Sequence, residues 1–195
     1  MTGMCKIKSI AVFSGSSFGR GDTYRKAAER LGDAIGRRGI SLVYGGGYKG
    51  LMGVIAESAG NHGSKVIGVL PEAMNNDKVK LKAVETELII VPGMHERKER
   101  MYSLSDAFIA APGGIGTIEE LAEIYTWRQL GYHRKNIALY NAGGYWDPFI
   151  EMIGKGTEEG FITEEVRNVL IIESDPDKLL DRLEKERTEL PEKLG

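Results

Sequence analysis

Hydrophobic positions in this chain fall into short unbroken runs separated by longer segments of helical period. Ile7 to Phe13 contains Ile10-Ala11-Val12-Phe13, too continuous for a half-exposed strand and consistent with a central parallel one. Ser14-Gly15-Ser16-Ser17 ends it. A helix is expected from Asp22 to about Arg38, with Asp22 or Thr23 as cap and Ala27, Leu31, Ala34 and Ile35 as its inward stripe, closed by Gly39. Ile40 to Tyr44 reads as the next strand. The run Gly45-Gly46-Gly47-Tyr48-Lys49-Gly50-Leu51-Met52-Gly53 then leads into a helix ending near Asn61-His62-Gly63. Val66 to Leu70 is a third strand, stopped by Pro71.

Residues 72–86 are polar and lysine-rich with weak periodicity, and Asn75-Asn76-Asp77 suggests a surface turn; the segment is expected to be a mobile flap. Leu88 to Val91 is a short strand before Pro92-Gly93, and a helix follows from about Met94 to Ser105. Further on come a strand at Asn136 to Tyr140, a helix from Trp146 to Gly160 with Asp147 and Pro148 near its start, and a last strand at Val169 to Ile172. The terminal helix, at about 175–187, carries alternating charges and is expected to be solvated along much of its surface. Strands alternating with helix-sized segments specify an α/β, Rossmann-like, doubly wound parallel sheet with helices on both faces, in a single domain over residues 1–195. Ligands of such sheets gather beyond the carboxyl ends of the strands, where the glycine turns must lie.

The chain is organised around one of those turns. Phe108 to Ala111 is a buried strand ended by Pro112, after which Gly113, Gly114 and Gly116 let the backbone turn sharply and approach a ligand. Amides at the start of the following helix and the positive end of its dipole suit an anion, and Thr117 adds a hydroxyl. Glu119 and Glu120 follow in the first turns, where negative charge also complements the dipole. Ser14 to Ser17 and Gly45 to Gly53 are weaker signals, since any strand-to-helix turn uses such residues. No stretch completes a dinucleotide fingerprint or a Walker-type Gly-Lys-Ser/Thr.

The helix at Met94 supplies a second candidate. Met94, Arg97 or Lys98, Met101 and Leu104 share one stripe, which should point inward. A cation there requires a carboxylate or phosphate partner, so Arg97 is either a structural ion pair or part of a site shared with the glycine turn. Lys98 is open to both readings. Glu96, Glu99 and Arg100 look solvated. His95 suits a cap or packing role as well as titration near neutral pH. His62 and His133 lie beside loops without metal-site spacing, so neither a metal nor a cofactor is expected. Beyond Thr117, Ile118, Leu121, Ala122 and Tyr125 form one apolar stripe and Ile124 and Trp127 another. One face can cover the sheet, and the other suits a twofold homodimer or further burial within the chain.

Composition narrows the partners. A formal charge of −2 and a pI near 6.0 give no basic footprint, which argues against nucleic acid. Cys5 is the only cysteine, so no internal disulfide can form and a reducing cytoplasm fits. No apolar run approaches the roughly 20 residues that span a bilayer, and no signal-peptide core is visible.

Pro112-Gly113-Gly114-Ile115-Gly116-Thr117-Ile118-Glu119-Glu120 resembles the PGGxGTxxE signature of the LOG family, cytokinin riboside 5′-monophosphate phosphoribohydrolases long labelled possible lysine decarboxylases. Glu96-Arg97-Lys98 resembles its paired element, and the likeness runs from Ser14 to Phe161. The resemblance implies a Rossmann-like homodimer that hydrolyses the N-glycosidic bond of an adenine-type nucleoside monophosphate, giving free base and ribose 5-phosphate. It implies Arg97 and Glu120 as the catalytic pair, Gly113, Gly114, Ile115, Gly116 and Thr117 as the phosphate turn, and Lys98 and Thr126 as substrate contacts. Thr126 points away from Glu120 on an ideal helix and would act through a neighbouring subunit. Asp77 is the candidate for an upstream acidic contact. Lysine decarboxylation is disfavoured, because no lysine has the setting of a pyridoxal phosphate Schiff base. A non-catalytic nucleotide or cofactor carrier would use the same cradle.

Overall fold

The continuous apolar runs become strands and the segments of helical period become helices. In the computed structural model, which describes residues 6–75, 84–186 and 188–190, the first half contains β1 (Ser9–Phe13), α1 (Thr23–Arg37), β2 (Ser41–Tyr44), α2 (Gly50–Asn61) and β3 (Val66–Pro71). The site is carried by β4 (Glu87–Val91), α3 (Met94–Ser103), β5 (Ala107–Ala110) and α4 (Ile115–Leu130). The chain continues through β6 (Asn136–Tyr140), α5 (Asp147–Glu158), α6 (Glu164–Arg167), β7 (Leu170–Glu173) and α7 (Pro176–Lys185).

Neighbouring strands are all parallel, in the order β4-β3-β2-β1-β5-β6-β7. The sheet is the expected Rossmann-like one, and its winding reverses beside β1: Ile10 lies opposite Leu42 of β2 on one side and Ala107 of β5 on the other. A crevice at such a reversal is where open α/β sheets bind ligands.

Strand period sorts the core into two layers. Ile10, Val12, Leu42, Tyr44 and Ile109 face α1, α2 and α7 through Leu31, Ile35, Ile55 and Leu179. Ala11, Phe13, Val43, Phe108 and Ala110 face the other way, onto Met101, Tyr102, Leu121, Ile124 and Ile153 of α3, α4 and α5.

Several expectations need revision. α4 begins at Ile115, and its buried stripe is Leu121, Ile124, Tyr125 and Arg128, leaving Ile118 and Ala122 exposed. Met94 is not inward but 48% exposed, because it opens α3 before the helix reaches the sheet. Trp146 precedes α5 and is buried. The short α6 had no apolar period to announce it; Thr163 caps it by accepting from the Val166 amide at 3.4 Å. α7 is amphipathic rather than largely solvated: Leu179, Leu180 and Leu183 are buried, while Asp177 and Asp181 meet Arg37 of α1 and its C-cap Arg38 at 3.0 and 2.8 Å. Of the flap, Glu72–Met74 form a 3₁₀ turn, whereas Asp77 lies outside the described residues, as does Cys5.

Candidate active site

Two neighbouring strands of the reversal, β1 and β5, end side by side. The Gly15 amide donates to the Pro112 carbonyl at 3.0 Å and the Ala111 amide to the Phe13 carbonyl at 2.9 Å, so the serine-glycine turn and the Pro112 turn are stitched together. Glycine is required at position 113, where a Cβ would sit 2.1 Å from Thr117 Oγ1 and 2.8 Å from the Gly15 nitrogen. At Gly114 and Gly116 a Cβ would meet nothing within 4 Å; these residues and Ile115 are exposed, Ile115 at 81%. The first-turn amides of α4, which have no acceptor inside the helix, thus border open space at the positive end of its dipole. Thr117 is buried within this turn.

Arg97 reaches the same place from α3. Its Nε donates to the Val69 carbonyl at 3.1 Å and its Nη2 to the Gly45 carbonyl at 3.3 Å, so the ends of β2 and β3 hold the guanidinium. Its Nη1 lies 3.7 Å from Glu120 Oε1 on α4. Both residues are nearly sealed, 9% and 8% exposed. Burial pushes the Glu120 carboxyl up to about 7, with Arg97 pulling the other way and Glu119 adding repulsion. Two successive crossovers therefore place opposite charges within one clasp.

Lys98, next to Arg97, is also buried and also reaches α4, where its charge opposes the rise of the Glu120 pKa. Its ammonium meets Glu119 Oε1 at 2.5 Å and Glu123 Oε1 at 3.0 Å, and Tyr102 Oη donates to Glu123 Oε2 at 2.5 Å. Thr126 is exposed on α4, on the face away from Glu120.

The Lysine_decarbox family model, described as possible lysine decarboxylase, matches residues 52–183. A rice protein, cytokinin riboside 5′-monophosphate phosphoribohydrolase LOG, is 44% identical over 92% of this chain and 74% of its own length. The chain belongs to this family. Other LOG proteins agree: Arabidopsis thaliana LOG1 is 44% identical over 92% of this chain and 84% of its own, and Arabidopsis LOG7 is 40% identical over 96% and 86%. Among solved structures, the molybdenum cofactor binding protein from Rippkaea orientalis superposes with a TM-score of 0.67 at 22% identity, covering 91% of this chain and 95% of that one. At that identity the likeness concerns the fold alone.

In this LOG-family chain, Arg97, Glu120 and the turn 113–117 are brought together, whereas the Lys98 ammonium is engaged by carboxylates and Thr126 lies apart. His95 is exposed in the first turn of α3 and is not its cap, which is Gly93; the other two histidines stand elsewhere. His62 pairs with Asp33 at 3.3 Å. His133 packs on Phe108, its Nε2 lies 2.9 Å from the Ile124 carbonyl, and burial lowers its pKa to about 4, leaving it neutral. Among the described residues no group of three or more His, Cys, Asp or Glu comes together to hold a metal.

Tyr145 was not singled out in the sequence, and Gly45 stood there only as part of a strand-to-helix turn. A Cβ on Gly45 would lie 1.9 Å from Arg97 Nη2, so this glycine clears the guanidinium's seat. Tyr145 donates its hydroxyl to the Gly113 carbonyl. The signals were present as the Gly45-Gly46-Gly47 run and the Gly143-Gly144 pair, but nothing in them said which distant residue each would meet.

Proposed function

We propose that this protein hydrolyses the N-glycosidic bond of an adenine-type nucleoside 5′-monophosphate, releasing free base and ribose 5-phosphate. The observation that carries this reading is the buried Glu120 carboxylate, 3.7 Å from Arg97 and one helical turn beyond a glycine turn suited to phosphate. The 40–44% identity to proteins named for this activity supports it.

The chemistry follows from charge. The 5′-phosphate sits on the amides of residues 114–117 and the Thr117 hydroxyl, which places the sugar over Glu120. As the bond to the base lengthens, positive charge grows on ribose and negative charge on the base. Glu120 stabilises the former and accepts a proton from attacking water, as carboxylates do in glycoside hydrolysis. Arg97 keeps its proton throughout and acts as fixed positive charge toward phosphate or the departing base. Lys98 steadies the nucleotide's surroundings from α3.

The enzyme is further proposed to be a homodimer working in the cytoplasm. Ile115, Ile118 and Ala122 are exposed on one face of α4, and Thr126 continues that face, so a twofold partner covering it would bring Thr126 to the neighbouring subunit's ligand. Purified protein incubated with AMP, N6-prenylated AMP and other nucleoside monophosphates, with released bases separated by chromatography, tests the reaction and ranks the substrates. Binding without release of base would instead identify a nucleotide carrier.

A further inference from the structure

The carbonyl of Gly113 is held by a side chain from outside the two crossovers that make the clasp. Tyr145 belongs to the turn between β6 and α5, and its hydroxyl donates to that oxygen. The turn itself is stiff. Gly143 and Gly144 take left-handed conformations at φ 61° and 71°, Asn141 Oδ1 accepts from the Trp146 amide at 2.8 Å, and Asn141 Nδ2 donates to Asp147 Oδ1 at 2.6 Å. Trp146 Nε1 donates to the Ala110 carbonyl at 3.1 Å, so consecutive side chains of this turn grip β5 and the glycine turn that follows it. The Tyr145 ring is seated edge-to-face against Tyr24 and Trp146, at centroid distances of 5.6 and 5.2 Å.

A trans peptide is planar, with its carbonyl and the next amide N–H pointing in opposite directions. Fixing the Gly113 oxygen on the Tyr145 side therefore aims the Gly114 N–H to the opposite side. Gly114 itself is exposed, and a Cβ on it would meet nothing within 4 Å. Without the hydroxyl, a glycine-rich peptide plane is free to rotate, since Gly113 and Gly114 impose little conformational restriction of their own.

We propose that Tyr145 is a positioning residue for the substrate's 5′-phosphate, acting through the Gly113 carbonyl to orient the Gly114 amide. This rests on the reading that a nucleotide phosphate occupies the turn. It assigns Tyr145 no contact with the reacting atoms.

Tyr145→Phe removes the hydroxyl and keeps the ring against Tyr24 and Trp146. Losing one oriented hydrogen bond to a charged group is expected to raise KM for AMP about tenfold while kcat stays within about threefold. Titration calorimetry should show AMP and ribose 5-phosphate binding about tenfold more weakly, with adenosine, which lacks the phosphate, bound as before. An unchanged AMP affinity overturns the proposal. So does a parallel loss of AMP and adenosine binding, or a variant that no longer folds, since either marks Tyr145 as a general prop. If the unaltered protein binds AMP but releases no adenine, the enzymatic reading fails alone, and the binding comparison still decides the role of Tyr145.

Discussion

At the scale of single residues, the site sets a costly carboxylate against a guanidinium that two backbone carbonyls also hold in place. Arg97 has the Val69 and Gly45 carbonyls as well as Glu120, so Glu120→Gln should keep the fold while abolishing turnover; near-normal release of base from folded variant would remove Glu120 from its role. With its pKa raised to about 7, the ionised form that the proposed mechanism needs is scarce in acid. The rate should climb about tenfold from about pH 6 to about pH 8, and a flat profile there would contradict the general-base assignment. Stability runs in the opposite direction. A carboxyl raised on folding favours the native state below its unfolded pKa and loses that contribution as pH rises through about 7. Glu120→Gln should therefore melt at least as high as the parent at pH 8, with the advantage shrinking toward pH 5, as measured by thermal denaturation at both. Gly45→Ala tests the seat of Arg97: because a Cβ would fall 1.9 Å from Nη2, turnover should drop on the order of a hundredfold while circular dichroism stays unchanged. The inward cation at Arg97 was legible from helical period, and the tight turn before α4 from its glycines. The guanidinium's seat was not, because Gly45 and Arg97 are 52 positions apart and no local pattern joins them.

At the scale of elements, periodicity located every strand and the longer helices to within a few residues, since each buries a continuous run or a regular stripe. It failed where tertiary contacts decide. α6 is a four-residue turn made by one cap. Met94 sits on the apolar stripe of α3, yet the helix has not descended to the sheet at its first residue. α7 looked solvated because charges dominate its composition, but Leu179, Leu180 and Leu183 insert beside α1. These leucines, and not the ion pairs of Arg37 and Arg38 with Asp177 and Asp181, should anchor the helix, because both pairs are solvent-accessible. Leu183→Ala is expected to cost about 2–5 kcal/mol, and Asp177→Asn under about 1 kcal/mol, measured by urea denaturation; comparable losses would reverse that ranking.

At the scale of the whole molecule, the clasp stands at the sheet's winding reversal, and the helix that supplies Glu120 also presents an uncovered apolar edge. Leu121, Ile124 and Tyr125 of α4 are committed to the sheet, whereas Ile115, Ile118 and Ala122 form an edge that the described residues leave exposed. Positions 115, 122 and 126 lie nearly in line on a helix advancing 3.6 residues per turn, which joins the apolar edge to Thr126. If a second copy covers this edge, its α4 arrives carrying its own glycine turn and Glu120 nearby, so assembly and catalysis should be coupled. Ala122→Arg places a charge on the edge without touching Arg97, Glu120 or the turn 113–117. It is expected to yield monomer in sedimentation velocity, with the fold preserved by circular dichroism and turnover lost along with the dimer. A variant that still sediments as a dimer would move the interface elsewhere, and an active monomer would show that one subunit's clasp suffices for the chemistry.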